Sequence, residues 1–220
     1  MFGKELNISN KGFDADFLNF LSSKGFVDKT IISSVSEIIK EVSSRGDIAL
    51  IELTKKLDDH LIKDFFVSED EINASFNRID KELLLALEFS FKNIIEFHSK
   101  CMDSLNSESI DSEVSRIFKP IRSALLYVPG GKASYPSSVL MAAGPAIASQ
   151  VTDLYLTTPC IGGHLNDLTI AAAKVAGIKK IAKLGGAQAI AAFSLGTESI
   201  PKVDKIVGPG NLYVAEAKRQ

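Results

Sequence analysis

Cysteine is scarce: Cys101 and Cys160 are the only two in 220 residues, too few for a disulfide framework. An excess of charge of one sign is missing too. Twenty-five Lys and Arg face 27 Asp and Glu, for a net charge of −2. That balance gives no basic footprint for nucleic acid or an anionic membrane. No apolar run reaches about 18 residues, the length a spanning helix needs. Met1-Phe2-Gly3-Lys4-Glu5 lacks the apolar stretch of a secretory signal. With no address signal and no disulfide framework, a reducing cytoplasm is the expected setting.

Proline is absent from the first 119 residues: all seven lie at Pro120 or beyond. Eleven of the fifteen glycines lie at Gly130 or beyond, whereas twelve of the thirteen phenylalanines fall at or before Phe118. Two kinds of packing are implied, so the chain divides into a mostly helical part, 1–119, and a second part, 120–220. In the first, Ile31, Ile32, Val35, Ile38, Ile39 and Val42 recur at the spacing of one helix face. Gly46 fits a stop after that helix, and 47–57 reads as a second, shorter one. Ser68-Glu69-Asp70-Glu71 has the capping-box form, with Ser68 as N-cap. Leu84, Leu87, Phe91, Ile94 and Ile95 make a third apolar stripe. The polar stretch 106–112 reads as a loop. Nothing in this part has catalytic spacing.

The second part alternates short apolar runs with helical patterns. Strands are expected at 123–128, 153–157, 180–184 and 204–207. Helices are expected at 137–149, 166–176 (closed by Gly177), 187–195 and from Asn211 onward. Repeated β-α units of about 25 residues imply a parallel sheet with helices on its faces. Right-handed crossovers then bring every strand-to-helix turn to one edge.

That edge carries three glycine turns: Tyr127-Val128-Pro129-Gly130-Gly131, Leu184-Gly185-Gly186-Ala187-Gln188 and Gly208-Pro209-Gly210-Asn211. Ligands of open α/β sheets bind outside the carboxyl ends of the strands. Glycine lets backbone approach a ligand closely, and helix N-termini offer amides to an anion such as a pyrophosphate. Gln188 and Asn211 stand where a carboxamide would hydrogen-bond a ribose or nicotinamide group. None of the turns is a G-x-G-x-x-G or a Walker A. On spacing alone, a nucleotide site and ordinary strand-to-helix turns both remain open.

The longer words are more specific. The first and third of those turns, with Tyr135-Pro136-Ser137-Ser138-Val139-Leu140-Met141, Gly185-Gly186-Ala187-Gln188-Ala189-Ile190-Ala191-Ala192, Gly196-Thr197-Glu198-Ser199 and the run Pro201 through Asn211 to Gln220, resemble the histidinol dehydrogenase family. Ser44-Arg45-Gly46-Asp47 and Lys92-Asn93-Ile94-Ile95-Glu96-Phe97-His98 extend the resemblance into the helical part. It implies an α/β fold, a helical N-terminal segment plus a Rossmann-like parallel-sheet domain of aldehyde-dehydrogenase-like architecture, incomplete at the C-terminus. It also implies oxidation of L-histidinol to L-histidine through the aldehyde in histidine biosynthesis, two NAD molecules used in succession, one zinc per site, and a homodimer. By resemblance the NAD contacts are Tyr127, Gln188 and Asn211. The Glu-His pair that serves as base, the zinc ligands and the main histidinol contacts are expected beyond Gln220. The chain then corresponds to the N-terminal half, with the cofactor wall but without the proton-moving groups, and is expected to be inactive alone. An apolar face of the helical part is expected to be exposed, favouring self-association.

A non-catalytic nucleotide-binding or interaction module is the alternative. It would keep the glycine turns and lose the acid-base residues. A third reading is a thiol-dependent aldehyde dehydrogenase, with a Cys160 thiolate activated by a helix N-terminus; the plainer reading of Cys160 is a small residue in a turn. His98 and Cys101 are three apart on a predicted helix, but two ligands do not make a zinc site. His164 reads as a loop residue or a phosphate orienter, and His60 as solvated within Asp58-Asp59-His60. Lys202, Asp204 and Lys205 read as a solvated edge, and Tyr135 as a packing or ring-stacking residue.

Overall fold

The structure, a computed structural model, describes residues 6–24, 29–107, 117–130 and 134–220. Four helices come first: α1 (Phe13–Lys24), α2 (Lys29–Asp58), α3 (Glu69–Asn77) and α4 (Lys81–Ser107). Strands and helices then alternate as β1 (Ser123–Tyr127), α5 (Pro136–Ala148), β2 (Asp153–Thr157), α6 (Asp167–Val175), β3 (Lys180–Ala182), α7 (Gly186–Leu195), β4 (Lys205–Val207) and α8 (Leu212–Arg219). Gly131 of the first glycine turn and residues 108–112 of the predicted polar loop lie outside the described residues. Asn106 and Ser107 of that loop belong to α4 instead.

Local chemistry explains the boundaries. Gly46 has φ +52 and ψ −128 inside α2, so the two helices expected on either side of it abut at a kink with no linker. Ser68 accepts from the Glu71 amide and Glu71 returns a carboxylate oxygen to the Ser68 amide, completing the capping box. Asn166 caps α6 by accepting from the Thr169 amide.

The four strands are parallel, in the order β3-β2-β1-β4. All five residues of β1 are buried, as expected for a parallel strand covered on both faces. On one face α5 packs against α4 and α6, and α3 against α6. On the other, α7 packs against α2 and α8. Two core clusters result. One gathers Val35, Val42, Leu50, Leu125, Ile190 and Phe193, and the other Ile72, Leu87, Leu126, Leu140, Leu156 and Ile170. Each fully buried Leu, Ile or Phe contributes about 1.5–3 kcal/mol. Both clusters join residues from before and after position 120.

The helical part also guards one sheet edge. The Val67 amide donates to the Ile181 carbonyl at 2.8 Å and the Lys183 amide to the Phe65 carbonyl at 2.7 Å. Phe66 thereby pairs antiparallel with Ala182, and the β3 side does not present a bare strand. β4 forms the other edge. Among the described residues, no helix is long and apolar enough to cross a membrane.

Candidate functional site

The strand order reverses between β1 and β4. β1 leads outward to β2 and β3, and the chain then returns through α7 to β4 on the other side of β1. In doubly wound sheets the crevice at such a reversal, beyond the carboxyl ends of the strands, is the usual ligand position. Tyr127 ends β1 there, and Gly208 follows β4. The turn after β4 lies directly on the β1 backbone: a Cβ on Gly208 would collide with the Tyr127 carbonyl oxygen, and its φ is +119. Pro159, in the turn after β2, packs against Gly130 on one side and Gly185 on the other. The turns after β1, β2 and β3 are therefore in mutual contact.

Tyr127 and Gln188 meet around Gly186. The Gly186 amide donates to the Tyr127 hydroxyl oxygen at 3.1 Å. The Gln188 carboxamide lies beside the same residue, where a Cβ on Gly186 would approach its Oε1 to 2.6 Å. Both side chains are buried, Tyr127 at 3% and Gln188 at 1% exposure. Burial raises the Tyr127 hydroxyl above its ordinary value; the Gly186 amide opposes that and the Asp58 charge adds to it. Gln188 Nε2 donates to Asp58 Oδ2 at 3.4 Å. Its Oε1 is buried and has no partner among the described residues. An unpaired buried acceptor costs about 1–3 kcal/mol, so this oxygen fits a ligand that brings an N–H or O–H.

Asn211 stands apart from the pair. It is exposed and caps α8, its Oδ1 accepting from the Val214 amide at 3.0 Å. Its NH₂ group is not used by that bond. Three residues before it, Gly208 is seated on Tyr127, which keeps the β4 turn beside the β1 turn. Of the three residues expected to contact cofactor, the fold thus joins two closely and ties the third in through backbone.

Asp58 is the residue that sequence reading missed. Within Asp58-Asp59-His60 it looks like part of a solvated run. The fold carries the end of α2 to the sheet edge, where Asp58 is half-buried and its carboxyl is raised above the usual range by burial, with His60 opposing. Only the length of α2 hints at this, and length does not say where a helix ends in space.

The remaining candidates sort plainly. Cys160 is 1% exposed, and burial pushes its thiol up, with Lys183 opposing and Asp58 and Glu71 adding. The groups around it thus disfavour the activated thiolate that a thiol-dependent mechanism needs. His164 is exposed and lines a small cavity of about 240 Å³ with Pro129, Gly130, Thr158 and Asn166. His60 packs near Gly163. His98 stacks edge-to-face on Phe97, ring centroids 5.2 Å apart. Tyr135 precedes α5 as its cap residue. Asp204 is not merely solvated: it accepts from the Ser123 amide at 2.8 Å and hydroxyl at 3.0 Å, fastening the start of β4 to the start of β1. Among the described residues no three His, Cys, Asp or Glu are grouped to hold a metal, so their donor set does not fit the zinc that the resemblance implies.

A doubly wound α/β protein with a candidate ligand site at the β1/β4 reversal is the class these observations define. Comparison with known proteins narrows it. The sequence profile of histidinol dehydrogenase matches residues 22–220. A histidinol dehydrogenase of Agrobacterium fabrum is 41% identical over 98% of this chain and 51% of its own length. One from Bacillus cereus is 46% identical over 88% of this chain and 46% of its own. The crystal structure of histidinol dehydrogenase from Elizabethkingia anophelis superposes with a TM-score of 0.75 at 36% identity, covering 85% of this chain and 44% of that one. The chain belongs to the histidinol dehydrogenase family. It spans about half the length of the curated relatives it matches.

Proposed function

We propose that this chain supplies the NAD-binding wall of a histidinol dehydrogenase, an enzyme oxidising L-histidinol to L-histidine through the aldehyde in histidine biosynthesis. Family membership supports the reaction class. The buried, unpartnered Gln188 carboxamide oxygen, in the turn after β3 that the Tyr127 hydroxyl reaches, carries the cofactor assignment. In this reading Gln188 Oε1 accepts from a hydroxyl or amide of the dinucleotide. The Tyr127 hydroxyl, already accepting from Gly186, keeps its own proton to donate. The Asn211 NH₂ group offers a further donor beside the α8 N-terminus, where the helix amides favour a phosphate. Bound NAD would supply the hydride acceptor. The proton acceptor and the zinc ligands belong, in this reading, to the portion of the relatives that this chain does not span. The chain alone is then inactive, and the working assembly is a cytoplasmic homodimer.

The test is a titration of NAD into the purified chain, followed by an assay with histidinol, zinc and NAD. The assay is run with and without a polypeptide covering the remaining half of the Bacillus cereus relative. Saturable NAD binding, with NADH formed only in the mixture, is the expected result. Steady NADH formation by the chain alone would overturn the inactivity. Absence of NAD binding both alone and in the mixture would overturn the cofactor assignment and favour a non-catalytic interaction module.

A further inference from the structure

Asp58 joins two turns at the candidate site. It ends α2, and the chain reverses immediately after it through Asp59, whose φ is +50. Its backbone carbonyl accepts from the Gly162 amide at 2.8 Å, in the loop after β2. Its carboxylate faces the Gln188 carboxamide on α7, Oδ2 to Nε2, at 3.4 Å. That contact is long for a hydrogen bond, so its effect on Gln188 is mainly electrostatic.

A carboxamide has a donor end and an acceptor end, and an ionised carboxylate can only accept. With the carboxylate on one side of Gln188, the NH₂ end is drawn toward Asp58. The opposite orientation sets Oε1 against a like partial charge in a buried setting, where such contacts are poorly screened. The observed orientation leaves Oε1 facing the Gly186 turn without a partner. We propose that Asp58 is a positioning residue whose carboxylate fixes the Gln188 carboxamide, so that Oε1 stays available to a ligand N–H or O–H. The proposal rests on the reading of Gln188 as a cofactor contact.

The orientation is tied to the charge on Asp58. The titratable groups facing it are His60 on its own turn, Tyr127 from β1 and Cys160 from the loop after β2. Once protonated, the Asp58 carboxyl becomes a donor, and its preferred partner on Gln188 is Oε1. The amide then turns, and the acceptor intended for ligand is consumed. Because burial raises the Asp58 carboxyl, this occurs at a pH above the ordinary carboxylate range.

Side-chain amide spectra of the ¹⁵N-labelled chain test this directly, with the Gln188 signals assigned by their loss in Gln188→Met. The Gln188 NH₂ signals are expected to titrate on acidification from pH 8, to stop doing so in Asp58→Asn, and to recover in Asp58→Glu. The NAD dissociation constant of Asp58→Asn at pH 8 is expected to rise about five- to tenfold. Gln188 signals that do not titrate in the unaltered chain, or that titrate alike in Asp58→Asn, would overturn the proposal. So would unchanged NAD affinity in a folded Asp58→Asn. If the Gln188 signals titrate as expected but NAD binds neither the unaltered chain nor its mixture with the remaining half, the cofactor assignment fails while the positioning by Asp58 stands.

Discussion

Gly208 is seated on the backbone of Tyr127, with no room for a side chain between the turn after β4 and the end of β1. The contact fixes the spacing between the two turns at the sheet reversal. It also combines a φ of +119, outside the comfortable range of any L side chain, with a steric block. Gly208→Ala is expected to cost about 2–4 kcal/mol of stability, read as a lower urea midpoint at unchanged slope. A variant within about 0.5 kcal/mol of the unaltered chain would mean that the turn is not held against β1 in solution.

The Tyr127 hydroxyl serves the fold before it serves any ligand. Tyr127→Phe leaves the ring packed but removes the acceptor of the Gly186 amide. The expected cost is about 1 kcal/mol, together with faster hydrogen exchange at Gly186. Unchanged exchange there would show that the amide finds another partner.

At the kink of α2, Asp47 holds the loop before β4. The Thr197 hydroxyl donates to its Oδ1 and the Ser199 hydroxyl to its Oδ2, both at 2.6 Å. The Asp47 amide in turn donates to Glu198 at 2.9 Å. These groups are partly exposed, so Asp47→Ala is expected to cost about 1–2 kcal/mol rather than the full price of a buried network. A double-mutant cycle with Ser199→Ala should give a coupling of at least about 0.5 kcal/mol. Additive single effects would show that the clasp does not hold in water.

Much of this architecture is written in local patterns. The span 153–157 reads as a strand because its apolar run is flanked by turn residues, and it is β2 to the residue. The capping box at Ser68 and the kink at Gly46 follow from side-chain chemistry and glycine alone. Helix α1 escapes such reading, since Phe13, Phe17 and Leu18 sit in a short run without a strong cap. The shared core of α2 with α7, and the cover that 65–67 gives β3, are long-range contacts with no local signature. The site divides in the same way. Tyr127, Gln188 and Asn211 stand out by their glycine turns and by family resemblance, whereas Asp58 matters only because α2 delivers it to Gln188. Asp204 was similarly hidden, because its partner Ser123 lies 81 residues away.

Helix α8 should carry a distinct acid signature. The Glu216 side chain is buried at 1% exposure. It accepts from Arg219 at 2.5 and 2.8 Å and from the Gln220 carboxamide at 2.8 Å. Those donors, Arg219 first, pull its carboxyl down from 4.5 to about 2. A depressed carboxyl stabilises the fold where it is ionised in both the folded and unfolded states. Its contribution is therefore complete above about pH 4.5 and is lost as pH falls toward 2. Gln220 also spans to α2, accepting from the Ser36 hydroxyl at 2.8 Å and donating to the Ile32 carbonyl at 3.2 Å. Protonation of Glu216 should therefore loosen α8 from α2 before the sheet itself unfolds. Glu216→Gln removes the titration while keeping the shape of the side chain. Melting temperature measured from pH 6 to 2 should fall less steeply in this variant than in the unaltered chain, the two curves converging at the acid end. Curves that stay parallel throughout would show that Glu216 titrates at its ordinary value and that the Arg219 contact adds nothing to the fold.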